Sequence, residues 1–378
     1  MALFSLLALL LLVNPGIHPA CGAGWENTCQ LALESPHTNQ QIAEDSGLHY
    51  IVPGGAGISR AAMRGKPGFA YFGAKGAPIT DPATLQRIRD LGIPPGYKDV
   101  WISADPDAHI QAIALDSKGR EQYRYHPRWI AAKAHEKFAR MIRFGNALDS
   151  IHQAESSDLG LPGLPRDKML AALTRLLESS SIRVGNAKYA LQNESFGLTT
   201  LLSDQVRVEG STIHFSFKGK SGVFHDFDLE DRELARITTK SLALHQKQAF
   251  EYLDEEGVPR TIDSSLLNDY LKRISGGSFS AKDFRTWGGT TFAAKALIEA
   301  PLPKTPEQAQ AHITRAVEYA ASRLGNTPTV CRSNYIDPRL LEAYLNGDFQ
   351  AALEKVHGEP THDTLKTEER LVLRLLSR

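Results

Sequence analysis

Gly325-Asn326-Thr327-Pro328-Thr329-Val330-Cys331-Arg332-Ser333-Asn334-Tyr335-Ile336-Asp337-Pro338 is the stretch on which the reading of this chain turns. Asn326-Thr327-Pro328 has the composition of a simple turn. Tyr335 admits two readings. A tyrosine near a helix end is most often a packing residue. The other reading makes its hydroxyl a nucleophile, and a nucleophile needs partners elsewhere in the chain.

Cationic candidates for those partners occur in three upstream blocks. Phe284-Arg285-Thr286-Trp287 lies in a helical stretch, and Arg183-Val184-Gly185-Asn186 follows the helix expected over Asp167 to Ser179. Between them a hairpin is expected from Gln205-Val206-Arg207-Val208, the turn Gly210-Ser211, and Ile213-His214-Phe215-Ser216-Phe217. It runs into Lys218-Gly219-Lys220-Ser221-Gly222. Each block has a plain structural reading as well. Arg285 could stack on Trp287. Arg183 could sit at a helix end for the dipole alone. Lys218 and Lys220 fall on one face of a continued strand, so either could be the one that matters.

A phosphodiester attacked by a tyrosine oxygen would use these residue types together. Its transition state has the attacking and leaving oxygens in line and needs fixed donors on the non-bridging oxygens. Arginine supplies two donors in one plane and does not deprotonate. The departing sugar oxygen needs an acid, which a lysine held on a hairpin tip can provide. A metal could replace these parts, but the sequence shows no carboxylate cluster suited to one.

Further out, Lys118, Arg120, Arg124, Arg128, Lys133, Lys137, Arg140 and Arg143 stand against only Glu121 and Glu136 between Ser117 and Gly145. A solvated basic helix face would look similar. The interleaved Gln122, Tyr123 and Tyr125 favour nucleic acid, since such side chains reach sugars and base edges while cations neutralise phosphates. The net charge of the whole chain is zero, so the preference is local. Upstream, His49 to Val52, Phe69 to Phe72, Val100 to Ile102 and Ile110 to Leu115 read as short strands punctuated by Gly and Pro turns. One helix starts at Asp81-Pro82. Downstream of Arg128 the pattern is helical from Trp129 to Leu148, and Leu159 to Pro165 is a loop within that domain. The residues beyond Phe349 read as a short, charged, peripheral tail.

Three cysteines, Cys21, Cys29 and Cys331, form no metal-binding spacing. Such scarcity fits a reducing compartment. The apolar run Leu3 to Val13, followed by small residues near Ala20 to Ala23, has the form of a signal peptide without its positive leader. Export is therefore an open alternative to a dispensable extension, and the run is too short to span a bilayer.

The blocks then acquire a common meaning. Ile93-Pro94-Pro95-Gly96-Tyr97-Lys98-Asp99-Val100-Trp101-Ile102, Gly119-Arg120-Glu121-Gln122-Tyr123-Arg124-Tyr125-His126, Arg183-Val184-Gly185-Asn186, Phe217-Lys218-Gly219-Lys220, Phe284-Arg285-Thr286-Trp287 and Arg332-Ser333-Asn334-Tyr335-Ile336 follow the order of the type IB DNA topoisomerases. The chain resembles the small poxvirus-like form found in bacteria over about residues 48–349. The resemblance implies that Arg183 and Arg285 are catalytic arginines, Lys220 the general acid and Tyr335 the nucleophile. Asn326 falls where the poxvirus and eukaryotic members carry histidine. An amide there can donate a hydrogen bond but cannot act as a cation. Arg120, Gln122, Tyr123, Tyr125, Lys188 and Tyr189 resemble positions that contact DNA.

The expected fold is α+β: a small, mainly antiparallel β domain over 48–127, then a mainly helical catalytic domain over 128–349 with a β-hairpin insertion. Residues 1–47 are an extension and 350–378 the tail. The resemblance implies a monomer whose two lobes clamp double-stranded DNA, with no metal and no cofactor, acting in the cytoplasm on the nucleoid. A tyrosine recombinase shares the Arg/Lys/Arg/Tyr chemistry but usually has histidine three positions before the second arginine, where this chain has Lys282. A non-catalytic DNA-binding relative is the other alternative.

Overall fold

Residues 38–63, 65–360 and 364–377 are described by the computed structural model. The apolar run Leu3 to Val13, Cys21 and Cys29 lie outside these residues. Contacts within the chain divide it into two units, up to Ala132 and from Lys133 onward.

The first unit is built on a five-stranded antiparallel sheet, β1 (Ile58–Ala62), β2 (Phe69–Phe72), β3 (Lys98–Ile102), β4 (Ile110–Leu115) and β5 (Glu121–Tyr125), in the order β2-β1-β3-β4-β5. A small helix α1 (Asn39–Asp45) precedes it, and α2 (Pro82–Asp90) crosses between β2 and β3. Asp81 caps α2 by accepting from Thr84 N at 2.8 Å, with Pro82 in the first turn. Ile88 of α2 packs on the buried row Ile58, Val100, Ile102, Ala112 and Ala114. The edge strand β5 alternates: Glu121, Tyr123 and Tyr125 are exposed, while Gln122 and Arg124 turn inward. The expected strand at His49 to Val52 does not form. His49 makes a single bridge to Ala108, and the Tyr50 ring stacks on His109 at 4.2 Å. Packing of that ring, together with the turn at Pro53-Gly54, holds the segment off the sheet.

In the second unit, a long helix α3 (Pro127–Leu159) begins before the division and runs on through it. It is followed by α4 (Arg166–Ser180) and a short α5 (Ala187–Asn193). The expected hairpin is a three-stranded antiparallel sheet, β6 (Val206–Glu209), β7 (Thr212–Lys218) and β8 (Phe224–Glu230), with β7 central. Next come α6 (Arg232–Leu242), the ribbon β9 (Glu251–Leu253) and β10 (Pro259–Thr261), and α7 (Ser264–Ser275). Helix α8 (Ala281–Glu299) is buried on most sides. It packs on α9 (Pro306–Leu324) and α13 (Thr367–Leu376), and between these two in the chain come α10 (Pro328–Asn334), α11 (Pro338–Asn346) and α12 (Asp348–Gly358).

The tail is not peripheral. Ala352, Leu353 and Val356 of α12 and Leu371, Val372, Leu375 and Leu376 of α13 belong to the main core. Glu369 Oε1 accepts from Trp287 Nε1 of α8 at 3.3 Å. The apolar residues recur at helical spacing beneath a charged surface, and that spacing decides burial more than composition does. Among the described residues no helix is long and apolar enough to cross a membrane.

Candidate active site

Two glycines of α8 set the depth of the site. A methyl group at Gly288 would stand 2.8 Å from Ser181 Oγ, and one at Gly289 would stand 2.6 Å from the Tyr335 carbonyl oxygen. Their absence lets the end of α4 and the segment after α10 settle directly on α8. Tyr335 closes α10 and is half-buried. Its backbone is fastened from several sides. Thr290 Oγ1 donates to Tyr335 O at 3.1 Å, Tyr335 N donates to Cys331 O at 2.9 Å, and Lys137 Nζ donates to Asn334 O at 2.9 Å. Lys137 is held below the usual lysine range by burial and then by the neighbouring charge of Lys282.

Arg285, one turn into α8, is only 5% exposed. Its guanidinium donates to the Ser181 carbonyl at the end of α4 and, at 2.9 Å, to the Leu324 carbonyl at the end of α9. It lies 5.4 Å from the centre of the Tyr335 ring. Burial, and secondly Arg183, push its pKa down to about 10, and it remains cationic at neutral pH. Packing on Trp287 therefore does not account for this arginine. The Ser181 that receives it takes the left-handed conformation, with φ +52°. This turns the chain out of α4 towards Arg183.

Arg183 sits on a close crossing of two loops. A methyl at Gly197 would be 2.5 Å from both Arg183 O and Gly185 N. Leu198 N donates to Arg183 O at 2.8 Å. The Arg183 side chain reaches Asn326 and donates to Oδ1 at 2.9 Å. That bond fixes the orientation of the amide, since only the oxygen can accept from a guanidinium. Asn326 Nδ2 is then buried and has no hydrogen-bond partner among the described residues. Asn326 follows Gly325, which ends α9 at φ +60°, and its N–H bonds Ala321 O at 3.0 Å. The turn read from the sequence is a helix end that aims an amide donor.

Lys220 is arranged differently. Strand β7 stops at Lys218, so strand alternation does not carry Lys218 and Lys220 onto one face. Lys220 instead opens a tight turn, with Gly219 N on Val223 O at 2.7 Å and Ser221 at φ +62°. The lysine is exposed, and no hydrogen bond or ion pair joins its ammonium to the other four residues. Arg183 thus meets Asn326 and Arg285 meets Tyr335, while Lys220 is bonded to none of the four.

The expected DNA contacts lie in both units. On β5, Tyr123 and Tyr125 are each 39% exposed and stack at 6.0 Å. Arg120 and Gln122 both bond Asp116, at 2.8 and 3.2 Å, which stiffens the β4–β5 turn. The Arg120 bonds are first among those that draw the Asp116 pKa down to about 2. Lys188 is exposed on α5. The Tyr189 side chain lies outside the described ones. Sequence reasoning missed His225 on β8, whose ring stacks on Phe217 at 4.9 Å. Burial, then the charges of Arg183 and Arg285, hold it below the usual histidine range. The signal lay in β8 itself, Phe224-His225-Asp226-Phe227-Asp228-Leu229-Glu230, where His225 occupies an inward position of an alternating strand. Among the described residues no group of three His, Cys, Asp or Glu side chains could hold a metal ion.

A mainly helical domain that sets Arg285 against Tyr335 and Arg183 against Asn326 has the residue types of the enzymes that transfer phosphodiester strands through a tyrosine. Residues 126–352 match the family model described as eukaryotic DNA topoisomerase I, catalytic core. Residues 68–116 match that of the bacterial DNA topoisomerase IB N-terminal domain. The chain is 30% identical over 269 residues to DNA topoisomerase 1B of Acanthamoeba polyphaga mimivirus, covering 69% of this chain and 80% of that protein. It is 24% identical to DNA topoisomerase I of Monkeypox virus, covering 68% and 79%, and 23% identical to DNA topoisomerase 1B of Vaccinia virus (strain Copenhagen), with the same coverage. The chain belongs to the type IB DNA topoisomerase family, which are isomerases.

Proposed function

We propose that this protein relaxes supercoiled DNA with Tyr335 as nucleophile, Arg183, Arg285 and Asn326 as donors to the scissile phosphate, and Lys220 as general acid. The Tyr335 oxygen forms a bond to phosphorus and its proton passes to solvent. The bond from phosphorus to the 5′ oxygen breaks, and that oxygen takes a proton from Lys220. The product is a 3′-phosphotyrosyl link and a free 5′-hydroxyl. The free end rotates, and the 5′-hydroxyl then attacks the link and returns the tyrosine. The phosphodiester bond energy is conserved in the link, so the cycle needs no nucleotide.

The observation that carries this reading is the Asn326 amide. Its oxygen is held by Arg183 while its NH2 group is buried without a partner among the described residues. An orphaned buried donor is costly unless a ligand satisfies it, and a non-bridging phosphate oxygen between Arg183 and Arg285 would do so. The two arginines and the amide can share the charge that builds on those oxygens. Tyr123, Tyr125, Arg120, Gln122, Lys188 and Tyr189 are proposed to touch the duplex outside the cleavage point, chiefly at phosphates and sugars. A single chain carries all the named groups, so we propose a monomer acting on the nucleoid in the cytoplasm, without stable membrane association.

The test is relaxation of supercoiled plasmid in EDTA without ATP, comparing the wild type with Tyr335→Phe. The wild type should relax the plasmid and leave protein covalently on DNA after denaturation. The variant should do neither. Relaxation by the variant would remove Tyr335 from the mechanism.

A further inference from the structure

Gly219 directly precedes Lys220, and Gly325 directly precedes Asn326. Both glycines touch one imidazole. A methyl group at Gly219 would lie 2.7 Å from Cδ2 and Nε2 of His225, and one at Gly325 would lie 2.5 Å from its Cε1. The left-handed conformation at Gly325 explains glycine there without reference to the ring. Gly219 has no such explanation. Its φ of −93° is open to any residue, so the space taken by His225 is what excludes a side chain.

The ring is itself well located. Strand pairing sets His225 opposite Phe217, and the two rings stack with their planes 14° apart. His225 shares the inward row of β8 with Phe227 and Leu229, which pack on the core. An apolar ring would fill that place without the cost of desolvating two nitrogens. Neither nitrogen is hydrogen-bonded among the described residues. Burial, then the charges of Arg183 and Arg285, disfavour the charged imidazole.

We propose that His225 is a positioning residue for the proton-transfer step, a spacer that sets the turn carrying Lys220 against the turn carrying Asn326. The ammonium then faces the leaving oxygen of a phosphate held by Arg183 and Asn326. This rests on the general-acid role proposed for Lys220 and adds the part that aims it. Misplacement of a reacting group by about 1 Å costs on the order of 100-fold in rate, so a spacer can matter without touching the substrate.

The experiment is single-turnover cleavage of two duplexes by the full chain. One has an ordinary scissile phosphate. In the other, sulfur replaces the bridging 5′ oxygen and leaves without needing a proton. Lys220→Ala, His225→Ala and Gly219→Ala should each cleave the oxygen duplex about 100-fold more slowly than the wild type. On the sulfur duplex each should stay within about threefold. His225→Phe, which keeps the stack on Phe217 and the ring between the glycines, should stay within about fivefold on both. Equal slowing of both duplexes by His225→Ala and Gly219→Ala would overturn the proposal. So would a His225→Phe rate as low as that of His225→Ala on the oxygen duplex, since the nitrogens would then be required. If Lys220→Ala alone is not relieved by sulfur, the general-acid role of Lys220 fails, and with it the spacer built upon it. Relief of Lys220→Ala but not of the His225 and Gly219 variants leaves that role intact and removes only the spacer.

Discussion

Arg285 and Lys220 are both cations of the proposed site, yet the protein holds them in opposite ways. Arg285 is 5% exposed and fastened to the carbonyls of Ser181 and Leu324, so it joins the ends of two helices before any substrate arrives. Lys220 is exposed on the turn between β7 and β8 and joined to none of the other four residues. The first arrangement suits a group that must meet charge without reorganising. The second suits a group that must deliver a proton and take it back, since an exposed ammonium is solvated between events. On the proposed roles, the cradle for the phosphate is therefore tied into the core through Arg285, while the acid stands on an exposed turn whose place is set from beneath.

The contrast is broken most severely at Arg285. Arg285→Ala should lower single-turnover cleavage about 1,000-fold. It should also destabilise the fold by about 3 kcal/mol, because two buried carbonyls lose their donor. Arg285→Lys should rescue little, as one ammonium cannot reproduce a planar fork between two carbonyls. Urea unfolding at unchanged midpoint would show that the arginine is not a structural clip.

Lys220→Ala gives the complementary result. Cleavage of ordinary DNA should fall about 100-fold, within the usual range for a general acid. The urea midpoint should shift by less than about 0.5 kcal/mol equivalent, as for other exposed substitutions. A marked loss of stability would mean that the turn is part of the core and that the comparison is misdrawn.

The same contrast explains what the sequence disclosed. Apolar, mostly buried strands bounded by turn residues, such as Ile110 to Leu115, and a capped helix at Asp81-Pro82 are legible because local chemistry and burial agree there. Strand β1 was not. Of its five residues only Ile58 is buried, and Arg60 serves instead to donate to the carbonyls of Pro94 and Tyr97. The tail was misread because charge dominates its composition while Leu371 and Val372 are fully buried. At the site, Arg183, Lys220, Arg285, Asn326 and Tyr335 could be proposed from ordered blocks. Their actual partners could not, because the Ser181 and Leu324 carbonyls and the Thr290 hydroxyl act through backbone geometry. His225 escaped notice for the same reason. Its meaning comes from touching Gly219 and Gly325, six residues back and a hundred residues ahead.

Asn326 tests whether the built-in half extends beyond Arg285. Asn326→Ala removes the free Nδ2 donor and also releases Arg183. Losing one hydrogen bond to a charged group costs about 1.5 kcal/mol, or roughly tenfold in cleavage rate. The loss should be shared between oxygen and sulfur leaving groups, because the amide is proposed to act on the non-bridging oxygens. Relief by sulfur would transfer Asn326 to the proton-transfer half of the site.

The smallest effect on chemistry is expected from Leu371→Ala, in α13. Leu371 is fully buried, so truncation should destabilise the protein by about 3 kcal/mol through lost contacts and the void left behind. Cleavage per folded molecule should nevertheless stay within about threefold of wild type, since no bond from α13 reaches Arg285 itself. Its nearest link is Glu369 to Trp287, two residues further along α8, at 3.3 Å. The guanidinium is fixed instead by Ser181 and Leu324, on helices that keep their own core contacts. Unfolding followed in urea and cleavage followed at low temperature separate the two quantities. A large fall in the rate of molecules shown to be folded would mean that the precision of the arginine cradle depends on α13, and that the rigid half of the site reaches to the end of the chain.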